Sequence, residues 1–423
     1  MTCFKIRAIY GISVFIFFII SMSFSNAQEA KYYNFNVKIK PSSKHIYVKG
    51  KMELDFKDKD SIVFVFWKNS KINSLTNNED TVKYFFNQAS PSPAMYIPEG
   101  RKLVFYKEEG TPQIQTLYID YECDMSELKG WGVSFNEKWI ELNYYCAWYP
   151  VCRTGSSITS QLKISIDEKY KVSGSGIVEK QDDYWLMKQD WNSFDNVIVA
   201  SKKLNIKSVK DEKMKIDVVF SDLTEKDTDS VITGCKDVLS FYRNIFGTKD
   251  STYLKFVVAP INKGGGYSRK HFVSFGSTQF DLYTIGGIAH EIAHFWWLKA
   301  NTNTWEDWLN ESFAEYSQLM FLREKYGNEV FTNKINDYEK NSKNTPSVWE
   351  ADRNSNEAYK VFYFKGSLIL YELEKKLGKE KFYRFMKIVA DNEVSTTSCL
   401  LELIKQNFNE EVSFWLETEL KTR

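Results

Sequence analysis

The 423-residue chain holds four histidines: His45, His271, His290 and His294. Two of them fall in one run, His290-Glu291-Ile292-Ala293-His294, a pairing that so small a complement does not lead one to expect. The chemistry of this run depends on a helix. Ile288, Ile292 and Phe295 recur on one face, and Ala289, Ala293 and Trp296 on its neighbour, which is helical spacing. Positions four apart on a helix lie one above the other, so both imidazoles can grip a single zinc ion. Glu291 is then placed to take a proton from a water on that metal. Two structural histidines on a helix are the alternative reading.

A catalytic zinc commonly takes three protein ligands and leaves a fourth position open. No useful histidine remains, so the third ligand is expected to be a carboxylate. The segment Asp307-Trp308-Leu309-Asn310-Glu311-Ser312-Phe313-Ala314-Glu315 supplies one. It opens a second helix on which Glu311 and Glu315 share a face. Glu311 is assigned as the third metal ligand. Glu315, one turn on, is a candidate to accept the outer N–H of a ligating histidine. A solvated helix carboxylate is the other reading of Glu315.

The elements that must position these residues change character along the chain. Up to about residue 205 the pattern is of strands. Tyr32–Lys40, His45–Phe56, Ser61–Trp67, Lys102–Tyr106, Thr116–Glu122, Trp139–Tyr144, Ile158–Ile166, Tyr184–Gln189 and Asn196–Asn205 are rich in β-branched and aromatic residues. Polar and proline clusters such as Asn77–Asp80 and Ser90–Pro93 separate them. Strands without helices imply an antiparallel all-β domain, a saddle or a sandwich. From about residue 206 strands (Met214–Ser221, Tyr253–Pro260, His271–Phe275) mix with a helix, Thr228–Phe246. Beyond Ile285 every regular stretch reads as helix. The expected fold is multi-domain α+β: an all-β domain over 28–205, then a catalytic α+β domain over 206–423 ending in helices. Trp148-Tyr149-Pro150, within Tyr144–Arg153, reads either as a cleft wall or as core.

With the elements in place a resemblance becomes specific. His-Glu-x-x-His followed by Trp308-Leu309-Asn310-Glu311 resembles the gluzincins of the aminopeptidase N family. Tyr363-Phe364-Lys365-Gly366 resembles that family's Tyr-x-Lys-Gly segment. The two-part order of domains is similar to the family's β-saddle followed by a thermolysin-like domain. The resemblance implies one zinc ion per chain and peptide-bond hydrolysis, with Glu291 as general base. It also implies that Tyr363 donates to the oxyanion of the transition state; a core tyrosine is the alternative, since aromatics crowd this stretch.

Three departures qualify the resemblance. Sixteen residues separate His294 from Glu311, two fewer than in the family pattern. Where the family has its Gly-x-Met-Glu-Asn exopeptidase signature, this chain has Gly264-Gly265-Gly266-Tyr267-Ser268-Arg269. The glycines suit a strand edge that a peptide backbone can approach closely. Gly264, Gly265, Gly266 and Tyr267 are therefore the candidate substrate-binding residues, while the carboxylate that would hold a free α-amine is missing. Third, no large C-terminal helical domain is expected after the catalytic helices.

The composition is globular: 43% hydrophobic, 16% aromatic and 26% charged, with a formal net charge of +1. No basic stripe argues for nucleic acid. Lys5 and Arg7, the apolar run from Ala8 to Phe24 and the small residues Ser25-Asn26-Ala27 read as a secretory signal over residues 1–27. The expectation is export, to the periplasm or the medium, with no stable membrane span after cleavage. An uncleaved membrane anchor is the alternative. Cys146 and Cys152 lie close enough in sequence for a disulfide, which an exported protein permits, and buried thiols are the other reading. Three functions remain in view: an aminopeptidase-type enzyme first, then an endopeptidase or a peptidase without α-amine recognition, then an inactive binding protein on a peptidase fold.

Overall fold

The computed structural model describes residues 29–78, 80–152, 157–210, 214–248 and 252–422. The signal-like segment lies outside them. Among the described residues no helix is long and apolar enough to cross a membrane. The chain forms two compact units, one of Ala27–Asp237 with Asp250–Phe295 and one of Val238–Lys249 with Trp296–Arg423. This division differs from a boundary at 205/206, because the strands that follow residue 205 group with the β-rich part.

The first unit carries four sheets. The largest has eight strands in the order Ile177–Lys180, Trp185–Ser193, Ile158–Ser165, Ala30–Lys40, His45–Asp55, Ile114–Asp124, Ser70–Asn77 and Asp80–Thr81. Most neighbours are antiparallel, as the alternating pattern implies. Ala30–Lys40 and Ile158–Ser165, however, pair in parallel, from Tyr32 opposite Thr159 to Lys38 opposite Ser165. Two four-stranded sheets face the same core. Phe35, Tyr121, Phe64, Phe66, Leu103, Ile140 and Trp148 meet there, all fully buried. Together they form the β-sandwich expected of the N-terminal part. Trp148 and Tyr149 belong to this core, with Trp148 Nε1 donating to Asn196 O at 3.1 Å. Core packing is thus the observed role of that stretch. Cys146 and Cys152 are both buried thiols, not a disulfide.

The fourth sheet has five strands, ordered Asn205–Lys210, Lys215–Phe220, Tyr253–Ala259, Phe272–Gly276 and Gly265–Arg269. Its three middle strands run parallel, and their apolar content reflects burial on both faces. The last strand, Gly265–Arg269, is the edge and pairs antiparallel with Phe272–Gly276. Helix α1 (Glu225–Phe246) and helix α2 (Leu282–Trp297) contribute residues to both units.

The second unit is helical. Helices α3 (Trp308–Tyr326), α4 (Asn328–Ser342), α5 (Gly366–Leu377), α6 (Lys379–Asp391), α7 (Thr397–Asn407) and α8 (Glu410–Thr422) follow in order. Helix α3 is its axis, buried from Trp308 to Leu322 except at Glu311, which is partly exposed. Its polar residues there carry hydrogen bonds, as burial requires: Ser317 Oγ accepts from Trp297 Nε1 at 2.9 Å and donates to Phe313 O at 2.7 Å.

Candidate metal centre

Helix α2 starts at a carboxylate cap, Asp281, whose Oδ1 accepts from the Thr284 N–H at 2.9 Å. Ile285, Ile288, Ala289, Ile292, Ala293 and Trp296 then fill its buried faces. Three ionisable side chains share this apolar helix, and none is at the surface. His290 is 7% exposed, Glu291 6% and His294 9%. The two imidazole centroids lie 4.9 Å apart at 86°. Clustered, buried ionisable groups of this kind mark sites of chemistry.

Glu311 lies in the first turn of α3, and the residues around it fix its place. Asn310 Oδ1 accepts from Lys299 N and Ala300 N, both at 3.0 Å, while its Nδ2 donates to Ala300 O and to Asp307 Oδ1. The asparagine of Trp-Leu-Asn-Glu thus ties the chain leaving α2 to the start of α3. Asp307 is itself held by Arg353 Nε at 2.6 Å. Burial pushes the Asp307 carboxyl up, the charge of Glu311 adds to this, and Arg353 opposes it.

His290, His294 and Glu311 each offer one ligand atom, and those atoms all lie within 4.8 Å of one another. Two imidazole nitrogens and a carboxylate oxygen, largely buried, form a donor set that suits zinc. The shorter spacing between His294 and Glu311 does not prevent this convergence. The other two histidines have different surroundings. His271 Nδ1 lies 3.3 Å from Tyr253 O, and its ring meets Trp191 edge-on at 5.1 Å. His45 Nδ1 lies 2.7 Å from Ser43 O.

Glu315 is buried on α3, which excludes a solvated helix carboxylate. Its Oε1 accepts from Gln318 Nε2 at 2.9 Å and from the Tyr338 hydroxyl. Tyr363 is half-buried and sits in a π-helical turn, Lys360–Lys365, where the Gly366 N–H donates to Val361 O, five residues back. Three contacts seat that turn on α3. Ser312 Oγ donates to Phe362 O at 2.5 Å. Ser367 Oγ, on α5, lies 3.2 Å from Ser312 O of α3 and 2.6 Å from Tyr363 O, and donates to them. Gly366 comes so near that a Cβ would stand 1.9 Å from Ser312 Oγ. Lys365 Nζ donates to Thr345 O at 2.6 Å and Pro346 O at 2.8 Å, so it anchors the preceding loop. The glycine of Tyr-x-Lys-Gly therefore sets the tyrosine-bearing turn against the helix that carries Glu311, and the lysine ties the turn to the loop after α4.

The glycine segment lies where a strand edge was expected. Gly264 precedes the edge strand, and Gly276 approaches it so closely that a Cβ on Gly276 would be 2.6 Å from Gly264 Cα. Gly266 makes room for Glu291: a Cβ there would meet Glu291 Cγ and Oε1 at 2.9 Å. The Gly265 N–H donates to the Tyr283 hydroxyl at 3.3 Å. Tyr267 is buried, its hydroxyl donating to Glu141 Oε1 at 2.7 Å.

Sequence reading passed over Glu141, although a carboxylate in the apolar stretch Trp139–Leu142 is a visible outlier. With Asp195 it is one of two β-domain carboxylates that touch the edge strand. Ser274 Oγ at 2.6 Å and Trp139 Nε1 at 2.9 Å also donate to Glu141. Burial raises its pKa, and those donors with Tyr267 and Arg269 pull the other way. Arg269 pairs with Asp195 at 2.7 Å and is stacked by Phe194, Tyr267 and Tyr145 at 4.4, 4.6 and 5.2 Å.

The first unit thus holds a β-sandwich and a five-stranded sheet, and the second is helical. Residues 276–417 match the family model described as the peptidase family M1 domain. The described chain has the fold of the M1 zinc metallopeptidases. It is similar to the M1 zinc metallopeptidase from Deinococcus radiodurans, with a TM-score of 0.71 at 14% identity over 93% of this chain and 94% of that one. A mutant of that enzyme bound to a Tyr-Ser-Ala substrate gives 0.68 at 15% identity, over 93% and 94% of the two chains. A two-domain M1 zinc metallopeptidase mutant bound to L-tryptophan gives 0.69 at 16% identity, with the same coverage of 93% and 94%. No curated protein matches the chain by sequence.

Proposed function

We propose that this chain is a zinc metallopeptidase that hydrolyses peptide bonds with activated water, as an aminopeptidase-type enzyme. The observation that carries this reading is the convergence of His290, His294 and Glu311, with Glu291 on the same helix as the two histidines. The solved relatives of the same fold that hold a tripeptide substrate or a single amino acid support a peptide substrate.

His290, His294 and Glu311 would hold the zinc, which supplies a Lewis acid and a water of lowered pKa. Glu291 takes the proton of the attacking water and passes it to the leaving amine. Its carboxylate rests against Gly266, so this proton is handled beside bare backbone of the edge strand. Tyr363 donates its O–H to the oxyanion that develops on the scissile carbonyl. Glu315 keeps a ligating imidazole in one tautomer. Gly264, Gly265 and Gly266 form the strip along which the peptide lies, and Tyr267 braces that strip from beneath through Glu141. Export rests on the signal-like N-terminal segment.

One observation favours a second reading, a peptidase that does not recognise a free α-amine. The two carboxylates seen beside the edge strand are both buried and engaged: Glu141 accepts three hydrogen bonds from the protein itself, and Asp195 pairs with Arg269. Zinc analysis together with a panel of aminoacyl substrates and N-terminally blocked peptides tests both. Cleavage of unblocked substrates alone supports the aminopeptidase, and cleavage of blocked peptides alone excludes it. A zinc-loaded Glu291→Gln variant that still turned over would sink the mechanism.

A further inference from the structure

Trp131 lies in the loop Lys129–Val133 with its indole 49% exposed. The backbone is bent to present it: Gly130 and Gly132 on either side have φ of 143° and 68°, values that favour glycine. Its ring meets Tyr145 edge-on at 5.0 Å and Tyr267 at 6.1 Å, which fixes its orientation while leaving much of it open. A Cβ on Gly265 would stand 2.8 Å from Trp131 Nε1. The next residue, Gly266, is the one against which the Glu291 carboxylate rests. Indole and general base therefore flank two consecutive residues of one edge strand, with no side chain on the strand between them.

A peptide laid on that strand with its scissile carbonyl at Glu291 places a neighbouring side chain on the indole. We infer that Trp131 forms the wall of a specificity subsite for a large apolar or aromatic side chain next to the scissile bond. This rests on the peptidase reading. The buried charges behind the ring cluster are already matched. Arg269 is paired with Asp195 inside its ring of aromatics, and Glu141 is buried among its donors. What remains open is π-surface, which attracts apolar area and edge-on rings. Lys129, exposed in the same loop, and Lys263, over the Tyr283 ring at 5.9 Å, are the cations that would instead draw an acidic side chain.

The test uses the full chain, zinc-loaded, on two dipeptide series, X-Ala and Ala-X, with X as Ala, Leu, Phe, Asp or Lys. In the wild type kcat/KM is expected to favour Leu and Phe over Ala at least about tenfold at one of the two positions. In Trp131→Ala that ratio collapses through KM, and Trp131→Phe restores most of it. Calorimetric binding of the preferred Phe dipeptide to the zinc-loaded Glu291→Gln chain, with and without Trp131→Ala, reads the subsite without turnover. Retention of the Phe-to-Ala ratio in Trp131→Ala overturns the inference. So does an equal loss for every X, or a wild-type preference for Asp. A wild type that cleaves no member of either series would refute the aminopeptidase reading instead, and the calorimetry would still decide the subsite.

Discussion

Replacing Gly266 with alanine should disable turnover without removing the metal. The added Cβ would lie 2.9 Å from Glu291 Cγ and Oε1 and 2.6 Å from Phe275 Cδ2. Ordinary carbon contacts begin near 3.4 Å, so the carboxylate must retreat by at least about 0.5 Å. Proton transfer needs heavy atoms within about 2.6–3.2 Å, and a misplacement of about 1 Å costs on the order of 100-fold. A fall in kcat of roughly 10- to 100-fold is therefore expected. The Phe275 contact adds an overpacking cost of about 1–3 kcal/mol, which should lower the melting temperature by several degrees. Gly264→Ala is the control. Its Cβ would crowd Ile261 and the Gly276 backbone at 3.0 and 3.1 Å, and no Glu291 atom is among its nearest neighbours. The assay measures kcat at 25 °C for wild type and both variants, with bound zinc and melting temperature for each. If Gly266→Ala, folded and zinc-loaded, kept kcat within about twofold of wild type, the placement of the base over Gly266 would be irrelevant and the reasoning wrong. An equal fall in Gly264→Ala would show general damage to the strand instead.

Three further outcomes are expected. Tyr363→Phe should lower kcat by about 100- to 1000-fold with zinc content and KM little changed, and an unaltered kcat would return Tyr363 to a packing role. Glu315→Gln should weaken zinc binding by about 10- to 100-fold in competition with a chelator; unchanged affinity would limit Glu315 to its bonds with Tyr338 and Gln318. The third concerns Lys255, buried in the five-stranded sheet, whose Nζ donates to Gly174 O and Gly176 O at 2.8 and 2.6 Å. Burial lowers its pKa to about 8, so the folded protein holds this proton less tightly than the unfolded chain does. The cost is full below pH 8 and is relieved as pH rises toward the ordinary lysine range, by on the order of 3 kcal/mol. The stability of wild type relative to Lys255→Met should therefore increase between pH 7 and 9 in denaturant titrations, and a flat or falling difference would refute the shift.

What was legible in the sequence was local. His290 and His294 are four residues apart on one helix, as are Glu311 and Glu315 on the next, so their faces could be read without knowing the fold. Strands with alternating apolar residues, such as Ala30–Lys40, were legible for the same reason. Ser70–Asn77 was not, because its sequence is mostly polar, and neither was the parallel pairing of Ala30–Lys40 with Ile158–Ser165, which joins residues over a hundred positions apart. The same limit holds around the site. Trp131 and Glu141 matter through their neighbours on the edge strand, and no spacing rule connects them to it. Asn310 and Lys365 stood inside recognised motifs, but their partners, the exit of α2 and the loop at Thr345–Pro346, appear only in three dimensions.

The π-turn at Lys360–Lys365 bears on how this protein can change. A π-turn amounts to one residue more than a regular helix would accommodate, and removing it gives a helix with better hydrogen bonding. Deletion of Val361 would let the segment relax into ordinary helix and move Tyr363 from the place the π-turn gives it. Such a deletion is a plausible winner in a screen for heat resistance and a loser in a screen for turnover. Selection for stability alone, in the laboratory or in a lineage that no longer needs the activity, would therefore tend to erase this turn, and the length of the segment would record whether catalysis is still being kept.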